Sequence, residues 1–136
     1  MTRAEFPAPT PTALTKPFWD GCQQGRLLVQ RCRECGHRRF YPTAACPRCA
    51  SSSDEWEEMS GKGKLYSWTV VHRSVDPSWA SIVPFVSGIV ELDGHAGLLL
   101  PGLVTDVVPS AVRADMELEV WFDRSGPIAL PRWRPA

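Results

Sequence analysis

Four of the five cysteines fall into two pairs, Cys32-Arg33-Glu34-Cys35 and Cys46-Pro47-Arg48-Cys49, separated by ten residues. A Cys-x-x-Cys turn places two sulfurs on one side of an ion. Two such turns facing each other across a small hairpin complete a tetrahedral shell. The spacer is long enough for two short strands and a bend. A structural Zn²⁺ held by Cys32, Cys35, Cys46 and Cys49 is the leading reading. A redox dithiol needs only one such turn, disulfides are disfavoured in a reducing compartment, and iron in the same cage stays open. A catalytic zinc is disfavoured, because four thiolates leave no position for water or substrate. Gly36 follows the first pair and can take the positive φ that such a knuckle often needs. Ala50 stands at the equivalent place, so the second turn is expected to differ in shape. Cys22 is left over and reads as a small buried hydrophobe.

The three histidines add no second centre. His37 sits beside the first pair and is expected to be exposed, His72 ends an apolar run, and His95 lies in a turn. The chain shows no Ser-His-Asp order, no glycine-rich phosphate loop and no metal-binding His pair, so no catalytic constellation is assigned. Charge is more informative. The total is zero, with 15 Lys+Arg against 15 Asp+Glu. Between Arg26 and Arg48, however, stand six arginines and one acid, followed by the acidic cluster Asp54, Glu55, Glu57 and Glu58. Such a basic patch could meet nucleic acid, a coenzyme phosphate or an acidic protein face; internal pairing with the acidic run is the plainer alternative.

The elements that position these residues follow from periodicity. Residues 17–25 read as a short helix with Pro17 in its first turn, Gly25 as its stop, and Phe18, Trp19 and Cys22 on one face. Leu27 to Arg31 reads as a strand entering the first pair, and Gly61-Lys62-Gly63 as a turn and module boundary. Beyond it the character is β. Strands are expected over Leu65–His72, Phe85–Leu92, Ala96–Leu100, Glu117–Asp123 and Ile128–Trp133. Arg73 to Val83 is expected to be a loop, Asp93-Gly94 a hairpin turn, and 101–114 an irregular connection with one helical turn. In Glu117–Asp123, Leu118, Val120 and Phe122 should point inward and Trp121 outward. Five short strands in so few residues favour a small closed barrel. The fold class is mainly β, organised as a flexible Pro-rich tail at 1–16, helix plus ribbon at 17–60, and barrel at 61–136.

At 136 residues, with 43% hydrophobic and 22% charged, the chain is sized and composed for folded structure rather than general disorder. No run of about 18 apolar residues marks a membrane span. The first residues lack the apolar core of a signal peptide, so a cytoplasmic location is expected. The Pro-rich tail is expected to be extended and solvated, with ordering on a partner as the alternative.

The series Phe18-Trp19-x-Gly21, Gly25-Arg26-Leu27-Leu28-x-Gln30-Arg31-Cys32, the two cysteine pairs, Gly61-x-Gly63, Tyr66-Ser67-Trp68-Thr69-Val70-Val71 and Val90-Glu91-Leu92 resembles the acyl-CoA-associated zinc-ribbon plus OB-fold family (domain of unknown function thirty-five), over about residues 14–136. The resemblance implies an N-terminal helix, a rubredoxin-like zinc ribbon and a C-terminal five-stranded OB-fold barrel. It also implies a non-catalytic subunit that accompanies thiolase-superfamily enzymes: lipid-transfer-protein-like thiolases and aldolases, or hydroxymethylglutaryl-CoA synthase. Some relatives are fused to hydratase domains in steroid side-chain degradation. Asp115 stands where relatives tend to have glycine.

Three functions compete. The first is an accessory subunit of a thiolase or aldolase (lyase) complex in lipid metabolism, forming a hetero-oligomer and meeting acyl-CoA through the partner. Six tryptophans in so short a chain suit an interface, where Trp and Arg are favoured anchors; Phe18, Trp19, Trp79 and Trp121 are the candidates. The second is a single-stranded nucleic-acid binder, disfavoured because the chain from position 64 carries six basic and eight acidic residues. The third is an acyl-transfer enzyme, for which Cys22 is the one unassigned nucleophile.

Overall fold

The structure is a computed structural model that describes residues 7–136; residues 1–6, the first part of the expected tail, lie outside it. Residues 7–12 carry no regular secondary structure. Helix α1 spans Lys16–Gln23 and buries Phe18, Gly21 and Cys22 on one face. Gly25 ends it at φ +75°, a conformation open to glycine because it lacks a Cβ.

Three strands form the first sheet: β1 (Leu28–Cys32), β2 (Arg38–Arg39) and β3 (Asp54–Glu58), in the order β2-β1-β3. The acidic cluster is therefore a strand. Its register sets Arg31 opposite Glu55 and Gln30 opposite Trp56. The arginines of this region pair largely with that strand. Arg38 grips Glu57 at 2.5 and 3.1 Å, Arg31 meets Glu55 at 3.2 Å, and Arg26 meets Glu58 at 3.4 Å. Opposite charges across strands hold what β-propensity alone would not. The Arg38 guanidinium holds Glu57 below the usual carboxylate range.

The second sheet is a closed five-stranded barrel, β4 (Lys62–Val71), β5 (Phe85–Leu92), β6 (Leu99–Val104), β7 (Glu117–Asp123) and β8 (Leu130–Pro135), in the order β4-β5-β6-β8-β7. All pairings are antiparallel except β6 with β8, which meet in parallel at the single bridge Val104↔Trp133. β5 and β7 match the expected ranges. β4 starts three residues earlier than expected and closes the barrel through Lys62–Lys64 against β7. Strand β6 lies later than Ala96–Leu100 and runs through Pro101 and Gly102, which had read as a break. Two facts permit this. β8 does not pair with β6 at Pro101, so the missing N–H matters little there. Gly102 lies under the Trp133 ring, where an added Cβ would come within 2.8 Å of Cδ1.

The loop after β4 contains one helical turn, α2 (Pro77–Ala80), capped by the Asp76 carboxylate accepting from the Ser78 N–H at 2.8 Å. The connection after β6 contains the expected turn, a 3₁₀ turn at Pro109–Ala111. Asp115 has φ +61°, a left-handed conformation that Asp tolerates better than most residues. One apolar cluster runs from Phe18, Cys22, Leu27 and Val29 in the N-terminal part to Leu65, Val90, Leu118 and Trp133 in the barrel.

Candidate metal centre

Cys32 leaves the end of β1, Cys35 follows in the turn before β2, and Cys46 and Cys49 lie in the loop between β2 and β3. The four Sγ atoms lie within 4.8 Å of one another. Cys32 and Cys49 are 3.5 Å apart and Cys35 and Cys46 3.6 Å. A tetrahedral cage with metal–sulfur bonds of about 2.3 Å has its sulfurs roughly 3.8 Å apart, so the donor set fits one ion. None of the four is in a disulfide.

The two turns are built alike. Gly36 N–H donates to Cys32 O at 3.0 Å and Ala50 N–H to Cys46 O at 2.8 Å; Cys32 N–H donates to His37 O and Cys46 N–H to Ser51 O, at 2.9 and 2.8 Å. Gly36 has φ +76° and Ala50 φ +63°. The expected difference in shape is thus absent: Ala50 adopts the glycine conformation, because the pair of backbone hydrogen bonds fixes the turn whatever residue follows it.

The turns also prepare the sulfurs. The backbone N–H of Cys35, helped by that of Glu34, brings the Cys32 thiol down to about 6. At Cys46 burial works upward, but the amides of Cys49 and Arg48 outweigh it and the direction is down. At Cys49 the Ser51 amide pulls downward, yet hydrogen bonds shared with Cys32 and the other sulfurs push the thiol up to about 12. Several thiolates in one cage need a cation. Cys22 lies apart in the core, fully buried, and burial pushes its thiol up to about 12.

Sequence reasoning missed Gln30, which is 1% exposed. Its Nε2 donates to Thr43 O at 2.9 Å and to Asp54 Oδ2 at 2.7 Å, while its Oε1 accepts from Thr43 N–H at 2.9 Å. Both ends of a buried amide are satisfied, and the loop that carries Cys46 is fastened to β1 and β3. A lone Gln directly after the apolar run Leu27-Leu28-Val29, within the same strand, was the signal. His37 is half-buried rather than exposed. Phe18 faces the chain's own core, against Trp19 at 4.9 Å and Phe40 at 5.2 Å. Trp19 is half-buried, Trp79 stacks on Phe85 at 5.4 Å, and Trp121, outward on β7, is half-buried with Nε1 donating to Thr105 Oγ1 at 2.8 Å. The four are not brought together on one surface.

Comparison with known proteins now bears on this geometry. Residues 19–55 match the family "ChsH2, rubredoxin-like zinc ribbon domain" and residues 56–123 match "ChsH2, C-terminal OB-fold domain". A "DUF35 domain-containing scaffold protein" of Methanocaldococcus jannaschii is 37% identical over 100 residues, covering 72% of this chain and 68% of its own length. The chain belongs to the DUF35 family. This DUF35 chain is also 31% identical over 121 residues to the "Probable enoyl-CoA hydratase alpha subunit" of Thermomonospora curvata, of which it spans 37% of the length. Among solved structures it resembles a chain of the "Ltp2-ChsH2(DUF35) aldolase", with a TM-score of 0.84, 28% identity, and coverage of 94% of this chain and 98% of that one. A DUF35 protein of Sulfolobus solfataricus shares the fold, with a TM-score of 0.64 at 15% identity. No helix among the described residues is long and apolar enough to cross a membrane.

Proposed function

We propose that this DUF35 chain is a non-catalytic accessory subunit of a thiolase-superfamily enzyme, of the lipid-transfer-protein-like thiolase or aldolase kind, acting on acyl-CoA substrates in the cytoplasm. The observation that carries the reading is the likeness to the DUF35 chain of an aldolase, end to end on both sides. The scaffold proteins related to this chain agree with it. In this reading the four cysteines hold a structural Zn²⁺, which closes the loop between β1 and β3 and supplies no chemistry to a substrate. Residues Cys32, Cys35, Cys46 and Cys49 supply all four positions, and Gln30 and Thr43 hold the second pair toward the first. The chain orients its partner rather than moving protons itself. We infer steroid or other lipid side-chain degradation as the metabolic setting, as the family resemblance of the sequence implies.

Exposed aromatic groups give such a subunit material for contact. Tyr41 and Tyr66 are 52% and 60% exposed, and Trp68 36%; aromatic side chains add large contact area at low entropic cost. The test is purification of the tagged chain from its native host, followed by reconstitution. A thiolase-fold protein should co-elute in fixed ratio and lose solubility or acyl-CoA cleavage when expressed alone. A partner equally soluble and active alone overturns the reading.

A further inference from the structure

A crevice lies between the cysteine-bearing sheet and the barrel. One wall carries His37, Arg38, Arg39 and Arg48; the other is the β5–β6 turn, with His95 on it. Two adjoining lobes of about 370 and 310 Å³ share His37, Arg38, Gly97 and Leu98 on their walls, each within the range of small-ligand sites, roughly 300–1,000 Å³. No carboxylate lines either lobe, although the chain has as many acids as bases. Of the acids nearby, Glu57 pairs with Arg38, Asp54 with Arg39, and Glu91 accepts from the Gly97 N–H.

One guanidinium remains. Arg48 is exposed and has no ion pair or hydrogen bond through its guanidinium among the described residues. Arg39 is 5% exposed and is held within the fold, by Thr43 Oγ1 at 2.7 Å and Asp54 at 3.7 Å. For an unpaired guanidinium an anionic oxygen is the best acceptor. Concave walls of one sign also focus the field on an incoming anion. At the far end of the larger lobe lies Tyr41, half exposed, with Pro42 and Pro47 beside it. That end offers a flat ring and apolar edges.

We propose that this crevice binds a nucleoside phosphate, its phosphate oxygens among Arg48, His37 and His95, its base against Tyr41. The proposal goes beyond the accessory-subunit reading, which leaves ligand recognition to the partner, and either can fail without the other. The walls close the space on two sides, which suits the end of one nucleotide better than a continuous strand.

The test is calorimetric titration of the full, metal-loaded chain with ADP. Saturable one-to-one binding is expected, weakened at least about tenfold by Arg48→Gln, as loss of a charge-assisted hydrogen bond predicts. His95→Gln, on the barrel side and remote from the cysteines, should also weaken it. Arg113→Gln, an exposed control, should leave it unchanged. Inorganic pyrophosphate should bind more weakly than ADP, and Tyr41→Ala should bring ADP down to that level. Absence of saturable ADP binding, or binding unmoved by both Arg48→Gln and His95→Gln, overturns the proposal. So does a single-stranded oligonucleotide that binds more tightly than ADP and ignores His95→Gln.

Discussion

Cys22 and Ala50 show how much a single residue owes to its surroundings. Cys22 has the same side chain as the four clustered cysteines but lies apart from them in the apolar cluster, and burial pushes its thiol from 9.0 to about 12. The folded form thus holds this proton more tightly than the unfolded chain. The resulting stabilisation is full below pH 9 and is lost as pH rises toward about 12. Cys22 should resist alkylation in the native, metal-loaded protein at pH 8 and react only once the chain is unfolded; rapid native labelling at this site would show that the helix face is open. Ala50 holds a left-handed conformation that costs an L-residue about 1–2 kcal/mol, whereas glycine adds unfolded-state freedom worth roughly 0.5–1 kcal/mol. Ala50→Gly should therefore stabilise by about 0.5 kcal/mol, and Gly36→Ala should destabilise by a similar amount. Equal denaturant midpoints for all three proteins would mean that the turn relaxes.

Among the elements, those with local signatures were legible in the sequence, and those made by distant partners were not. The clustered cysteines announce themselves because each Cys-x-x-Cys turn is encoded within four residues. β5 and β7 alternate cleanly, since one face packs on the core and the other does not. β3 had no such pattern: Asp54, Glu55, Glu57 and Glu58 become a strand only because β1 sets Arg31 opposite Glu55 and Arg38 reaches across β1 from β2 to Glu57. Pro101 and Gly102 read as a break for the opposite reason, since only Trp133, far along the chain, explains a glycine inside β6. Gly102→Ala should overpack that contact and cost about 1–3 kcal/mol. An unchanged melting temperature would mean that the Trp133 ring can move aside.

At the scale of the whole molecule, the sequence reads as two small modules meeting at Gly61-Lys62-Gly63. One apolar cluster runs through both, and Arg124 Nη2 donates to Gln23 O at 3.2 Å, tying the turn after β7 to α1. Removing the metal should therefore do more than loosen the cysteine-bearing sheet, since metal binding and folding are coupled. Elemental analysis should find about one zinc per chain. Chelation should lower the melting temperature of the barrel tryptophans together with that of the cysteine region, in one transition seen by near-ultraviolet circular dichroism. Two separate transitions, with the barrel unmoved, would mean that the two parts melt independently.

The single bridge between β6 and β8 has a kinetic meaning. Elsewhere the barrel is zipped by ladders of several pairs, but this seam rests on Val104↔Trp133 and on the Thr105 N–H, which donates to Trp133 O at 2.7 Å. Cylinders of sheet breathe where their zipper is shortest, and such local openings cost less than global unfolding. In deuterated solvent the Thr105 amide should exchange well before the amides of β5, reporting a slit that parts and reseals while the rest of the wall stays shut.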